Sequence, residues 1–205
     1  MLSPLVRKGI PVVFILLMSL CLAKPIQAEP IETSYKKITK QFFWPNKKYP
    51  WFFSKQNSAS WMSDEDSIAL FKKATDAWNA CGVDISYQGL TDAPPARKDL
   101  VNVIGWAKLP PAIRGLSFRN SAHGSEALLE VDVVFNIDNR DILKDKDLLF
   151  KVVLHEMGHA LGLNHAPTCD EVMSSAAECG RNIAYPPPLN PTVKDLEQCA
   201  LRYPS

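Results

Sequence analysis

The sequence predicts an α+β domain, on three observations. Short apolar stretches of strand composition recur between residues 49 and 136. Two longer stretches, near 64–81 and 148–162, carry apolar residues at helical spacing, and a shorter one follows at 192–202. No internal repeat, low-complexity block or linker divides these elements. One domain is therefore expected over residues 49–205, after a signal peptide over 1–28 and an N-terminal arm over 29–48.

Each element has a local reason. Arg7 and Lys8 precede an apolar run over 10–23, and Ala28 closes an acceptable cleavage site, the pattern of an export signal. The run contains Pro11 and is short for a membrane span. Leu20 is too large to precede a lipoprotein cysteine at Cys21. Residues 29–48 are lysine-rich and read as a solvated arm. The run YPWFFS at 49–54 reads as a first strand. Ser63, followed by Asp64, Glu65 and Asp66, caps a helix, because a serine with an acid three residues on satisfies free amides and suits the dipole. Ile68, Phe71, Ala74, Ala77 and Trp78 form its apolar stripe, with Trp78 as a core residue, and Gly82 stops it. Residues 83–87 alternate as a strand, and Pro94 and Pro95 mark a loop. Residues 100–106 are almost continuously apolar and read as a central strand. A short extended piece over 114–120 and a last long strand over 126–136 follow. Asp145 or Asp147 can cap the helix over about 148–162. The final helix carries Asp195 and Glu197 early and Arg202 late, as its dipole prefers.

The second long helix carries the chemistry. His155, Glu156, His159, Gly162 and His165 spell H-E-x-x-H-x-x-G-x-x-H. Residues four apart share a helix face, so His155 and His159 aim at one point. Glu156 stands at the edge of that face, placed to reach a water without being a ligand. Gly162 lets the chain leave the helix with φ > 0, which returns His165 as a third nitrogen ligand. Three neutral imidazoles and a water make an open tetrahedral zinc site, the catalytic kind. Three of the four histidines fall in this window, whereas a buried helix with chance histidines has no reason for the spacing.

Charge and cysteines bound the setting. Residues 1–28 hold three of the 23 basic residues and none of the 22 acids, so the remainder is nearly neutral. No strong field points to nucleic acid or to stable association with an anionic membrane. Cys81, Cys169, Cys179 and Cys199 follow the signal, and an even count in an exported chain implies disulfides. Of three connectivities, Cys169–Cys179 closes a short loop beside the site and Cys81–Cys199 ties the C-terminal segment to the first helix. Free buried thiols are the alternative.

With these features the chain resembles the metzincin zinc endopeptidases, and among them the matrixin catalytic domain, over roughly residues 50–204. Beside the zinc motif, KKATDAWNACGVDISY resembles the matrixin first helix and next strand, LEVDVVFNID the strand before the zinc helix, and LNPTVKDLEQCALRYP the terminal helix. The resemblance implies a twisted mixed sheet with two long helices and an irregular C-terminal part with one helix. It places Met173 in the Met-turn, beneath the metal as a support. Ser175 stands where astacins and serralysins carry a tyrosine, which favours the matrixin branch. Only His123 remains outside the motif, so the second, structural zinc of animal matrixins is not expected. Matrixins also bind calcium after the last strand. Here Asn136, Asp138, Asn139 and Asp141 stand nearest, open to a calcium ion or to plain turn chemistry. The cysteine-switch prosegment motif is missing.

The expected activity is hydrolysis of peptide bonds by a zinc-activated water, with Glu156 as general base. The peptide or protein substrate is expected to lie along a free sheet edge at 114–120, with a pocket wall from 174–185. A monomer, secreted or periplasmic, is expected. The alternatives are an exported zinc hydrolase of a non-protein or cell-wall amide, and a zinc-containing module that binds peptides without cutting them.

Overall fold

The order of strands and helices explains where the site sits. In this computed structural model, which describes residues 41–175, 179–180 and 188–204, a five-stranded sheet has the order β2-β1-β3-β5-β4. The strands are β1 (Lys48–Ser54), β2 (Asp84–Thr91), β3 (Val103–Ala107), β4 (Gly115–Ser121) and β5 (Leu128–Asn136). All neighbours run parallel except β4, which lies antiparallel to β5 and forms one edge. The helices are α1 (Asp64–Ala77), α2 (Arg140–Lys144), α3 (Lys146–Ala160) and α4 (Val193–Arg202). The expected signal peptide over 1–28, and residues 29–40 of the expected arm, lie outside the described residues.

The helix ends follow the local chemistry. The Ser63 side chain accepts from Asp66 N at 3.0 Å and caps α1. That helix ends through a 3-10 turn at Gly82, whose φ of 73° is the left-handed conformation. Of the two candidate caps for α3, Asp145 is the one used, accepting from Asp147 N and Leu148 N. Thr192 and Asp195 form a capping box on α4.

Two expectations shift. The strand expected from residue 100 begins at Val103. Leu100 takes φ 67° and is exposed, so its apolar side chain belongs to a loop. The loop amides are taken by side chains of β5: Arg97 N and Val103 N donate to Asp132, and Asp99 N donates to Glu130. The short helix α2 was not expected. Asn139 caps it by accepting from Asp141 N and Ile142 N.

The core lies between the sheet and the long helices. Phe71 of α1 stacks on Phe135 of β5 at 5.0 Å and lies near Trp106 of β3. The Trp78 indole is fully buried and donates to Leu154 O, which joins the end of α1 to α3. Burying these rings contributes several kcal/mol, on the order of 25 cal/mol per Å² of apolar surface. The α3 helix also packs on β4 and β5, so its one accessible face looks along the β4 edge.

Candidate metal centre

Helix α3 brings the first two histidines together and its terminal turn brings the third. The nearest ring nitrogens of His155, His159 and His165 all lie within 4.8 Å of one another, with ring centroids 4.7 to 5.3 Å apart. His155 Nδ1 meets Val172 O and His159 Nδ1 meets Leu163 O, each at 2.8 Å. A ring whose Nδ1–H donates to a carbonyl presents a bare Nε2, the arrangement of a metal-binding imidazole. Burial pushes His155 down to about 4 and holds His159 well below its ordinary value, so both are neutral, as ligands must be. The donor set thus fits one zinc ion. Among the described residues, no other group of three metal-ligating side chains converges in this way.

The turn after α3 depends on glycine. Gly162 has φ 88°, and a Cβ there would stand 2.1 Å from Phe42 O. Gly162 N donates to His159 O and Leu163 N to Gly158 O, the paired bonds of a Schellman cap. Met173 lies fully buried beneath this helix. A Cβ on Gly158 would come within 2.3 Å of its sulfur, so the glycine lets the methionine approach between the two helical histidines. Ala166 N, next to His165, donates to Met173 O, and Asp195 accepts from Val172 N and Met173 N.

Glu156 is buried beside the histidines and its partner comes from β4. The Ser117 hydroxyl lies 2.8 Å from Glu156 Oε2 and 3.0 Å from Glu156 O. Burial pushes the Glu156 carboxyl up to about 7, while Ser117 and Arg119 pull it back. Gly115 leaves room for it, since a Cβ there would stand 2.8 Å from Glu156 Cγ.

Sequence reasoning missed the residues that hold the terminal turn. Five successive carbonyls each accept from a side chain. Arg119 Nε donates to His159 O, Trp44 Nε1 to Ala160 O, Tyr203 OH to Leu161 O and Arg202 Nε to Gly162 O. Leu163 O takes Arg119 Nη2 as well as the His159 ring. Burial lowers Arg119 to about 10, and its guanidinium lies over the Phe42 ring. Apart from the His159 ring, these donors come from 40 or more residues away, so no local spacing announces them.

Both favoured disulfides are present, Cys81–Cys199 and Cys169–Cys179. The residues nearest the expected calcium position are engaged in the fold. The Asn136 amide donates to Leu109 O, Pro110 O and Ile113 O, Asn139 caps α2, Asp138 pairs with Lys108 and Asp141 with Arg114. Ser174 and Ser175 of the expected pocket wall line the cavity at the histidines, while 176–178 and 181–185 lie outside the described residues.

Residues 109–186 match the family model of the matrixins, a stretch that runs from before β4 through α3 to past Met173. No curated protein matches the chain. With the mixed sheet, the two long helices and the histidine triad, this match supports a matrixin-like metzincin catalytic domain, a family of zinc-dependent metallopeptidases.

Proposed function

We propose that this protein is an exported zinc endopeptidase in which His155, His159 and His165 hold the metal and Glu156 is the general base. The observation that carries the reading is the triad with a buried, hydrogen-bonded carboxylate beside it, on one helix face. Zinc bound there supplies Lewis-acid polarisation of the peptide carbonyl and makes a nearby water acidic enough to attack near neutral pH.

The chain's own residues do the rest. Glu156 accepts the proton of the attacking water and delivers it to the leaving amine. Ser117 holds the carboxylate at the angle this transfer needs. Met173 supports the histidines from below. The free edge of β4 receives an extended peptide through backbone hydrogen bonds, and the cavity beyond takes the side chain that follows the scissile bond. The disulfides suit an oxidising compartment, and among the described residues no helix is long and apolar enough to cross a membrane. The disulfides support a secreted or periplasmic location, and release of residues 1–28 and a monomeric state complete the reading.

Glu156→Ala tests the reading. Zinc content should stay at one ion per chain, while hydrolysis of a peptide library falls by roughly a thousandfold or more, the scale of removing a general base together with its electrostatic role. Undiminished cleavage by the variant would remove Glu156 from the mechanism.

A further inference from the structure

One cation in the cavity at the histidines has no assigned role. The cavity has a volume of about 420 Å³ and runs from His155 and Glu156 along α3 to Lys151 and Leu148. Lys151 stands one helical turn before His155, a rise of about 6 Å for four residues. The residue is 5% exposed, and its ammonium makes no hydrogen bond or ion pair among the described residues. The acid that acts on it electrostatically is Asp195. That carboxylate is already taken by Val172 N, Met173 N and Thr192, and it forms no ion pair with Lys151.

A second cation lines the same space. Arg114 places one nitrogen 2.7 Å from Asp141, yet its buried Nε finds no partner among the described residues. Among the described lining residues the one acid is Glu156, beside the histidines; Leu148 and Val152, next to Lys151, supply no counter-charge. The Lys151 side chain lines this cavity and its ammonium has no hydrogen-bonded or ion-paired partner among the described residues, so it is free to pair with an anion that enters there. Burial lowers the Lys151 pKa, Asp195 pulls it back up in part, and Arg114 lowers it again.

We propose that Lys151, assisted by Arg114, makes this cavity a receptor for a carboxylate on the substrate residue just after the scissile bond. The proposal rests on the peptidase reading and names its substrate class. The carboxylate can belong to an internal Asp or Glu side chain, or to the free C-terminus of a short substrate, and the same ammonium serves either. An aliphatic side chain in the same cavity leaves the charge unpaired, so the pocket selects against it.

The test uses the zinc-loaded full chain and three peptide sets. Amidated peptides carry Glu, Gln or Leu after the scissile bond. A matched set ends at that residue with a free acid, and another ends there with an amide. Glu should exceed Gln in kcat/KM by about tenfold or more, the effect of about 1.4 kcal/mol from a charge-assisted contact. If the terminal carboxylate is the source, the free acid should exceed the amide instead. Lys151→Met should bring the ratio near one, and Lys151→Arg should keep it. The wild-type ratio stands as a test even if a variant fails to fold. Binding of the same peptides to Glu156→Gln, read by fluorescence anisotropy, separates pocket from chemistry. Cleavage with every ratio near one overturns the pocket and leaves the peptidase. Tighter binding of the carboxylate peptides without cleavage keeps the pocket and overturns the peptidase. Neither binding nor cleavage overturns both.

Discussion

Ser117 shows how much of the site depends on a single hydroxyl. Its hydroxyl is hydrogen-bonded to Glu156, and it reaches across from β4 to α3. A hydrogen bond to a charged group contributes about 1.5–3 kcal/mol. Ser117→Ala should therefore lower kcat by roughly ten- to a hundredfold, while zinc affinity, measured by chelator competition, stays within about twofold. Loss of both in step would mean that the serine holds the helix rather than the carboxylate. Nothing near residue 117 in the sequence marks it, because the alternation that identifies a strand says which face a residue takes and not what it meets there. The zinc motif is the opposite case: helical period and one glycine are local properties, so His155, Glu156, His159 and His165 could be read directly.

At the scale of elements, the terminal turn of α3 concentrates the structural demands. Its glycine needs a left-handed backbone and also sits against Phe42 O, so both conformation and space exclude a side chain. Gly162→Ala should destabilise the domain by more than about 2 kcal/mol in urea unfolding, since the backbone penalty alone is ~1–2 kcal/mol and the contact adds to it. A change below about 0.5 kcal/mol would show that the turn relaxes freely. The five carbonyl contacts around this turn explain why it is held so closely. Trp44 lies in the stretch expected to be a solvated arm, and its indole instead donates into the last turn of α3 and is buried. The sequence pattern there is mostly lysine and polar, which hides a few aromatic anchors among many charges. The strand boundary at Val103 was hidden for a related reason: a loop residue with φ > 0 can be apolar, and only the β5 carboxylates that capture its neighbours' amides reveal the loop.

On the scale of the whole molecule, the two disulfides act over different lengths of chain. Cys81–Cys199 joins the end of the first helix to the last helix across 118 residues, whereas Cys169–Cys179 spans 10. In the loop-entropy account a bond over about 100 residues restricts the unfolded chain by about 4.7 kcal/mol, and one over about 10 residues by somewhat under 3 kcal/mol. The long bond also anchors α4, which presents Asp195 to the Met173 turn and Arg202 and Tyr203 to the zinc-helix turn. Replacing Cys81 and Cys199 with alanine should therefore cost more stability than replacing Cys169 and Cys179, by about 2 kcal/mol on the entropy term alone. It should also weaken zinc binding, because α4 is the element that ties the turn on one side of the metal to the turn on the other. Paired guanidinium unfolding curves and zinc titrations on the two double variants measure both effects. Equal stability losses with unchanged zinc affinity would show that α4 docks without its covalent tie, and that the site is organised by α3 and β4 alone.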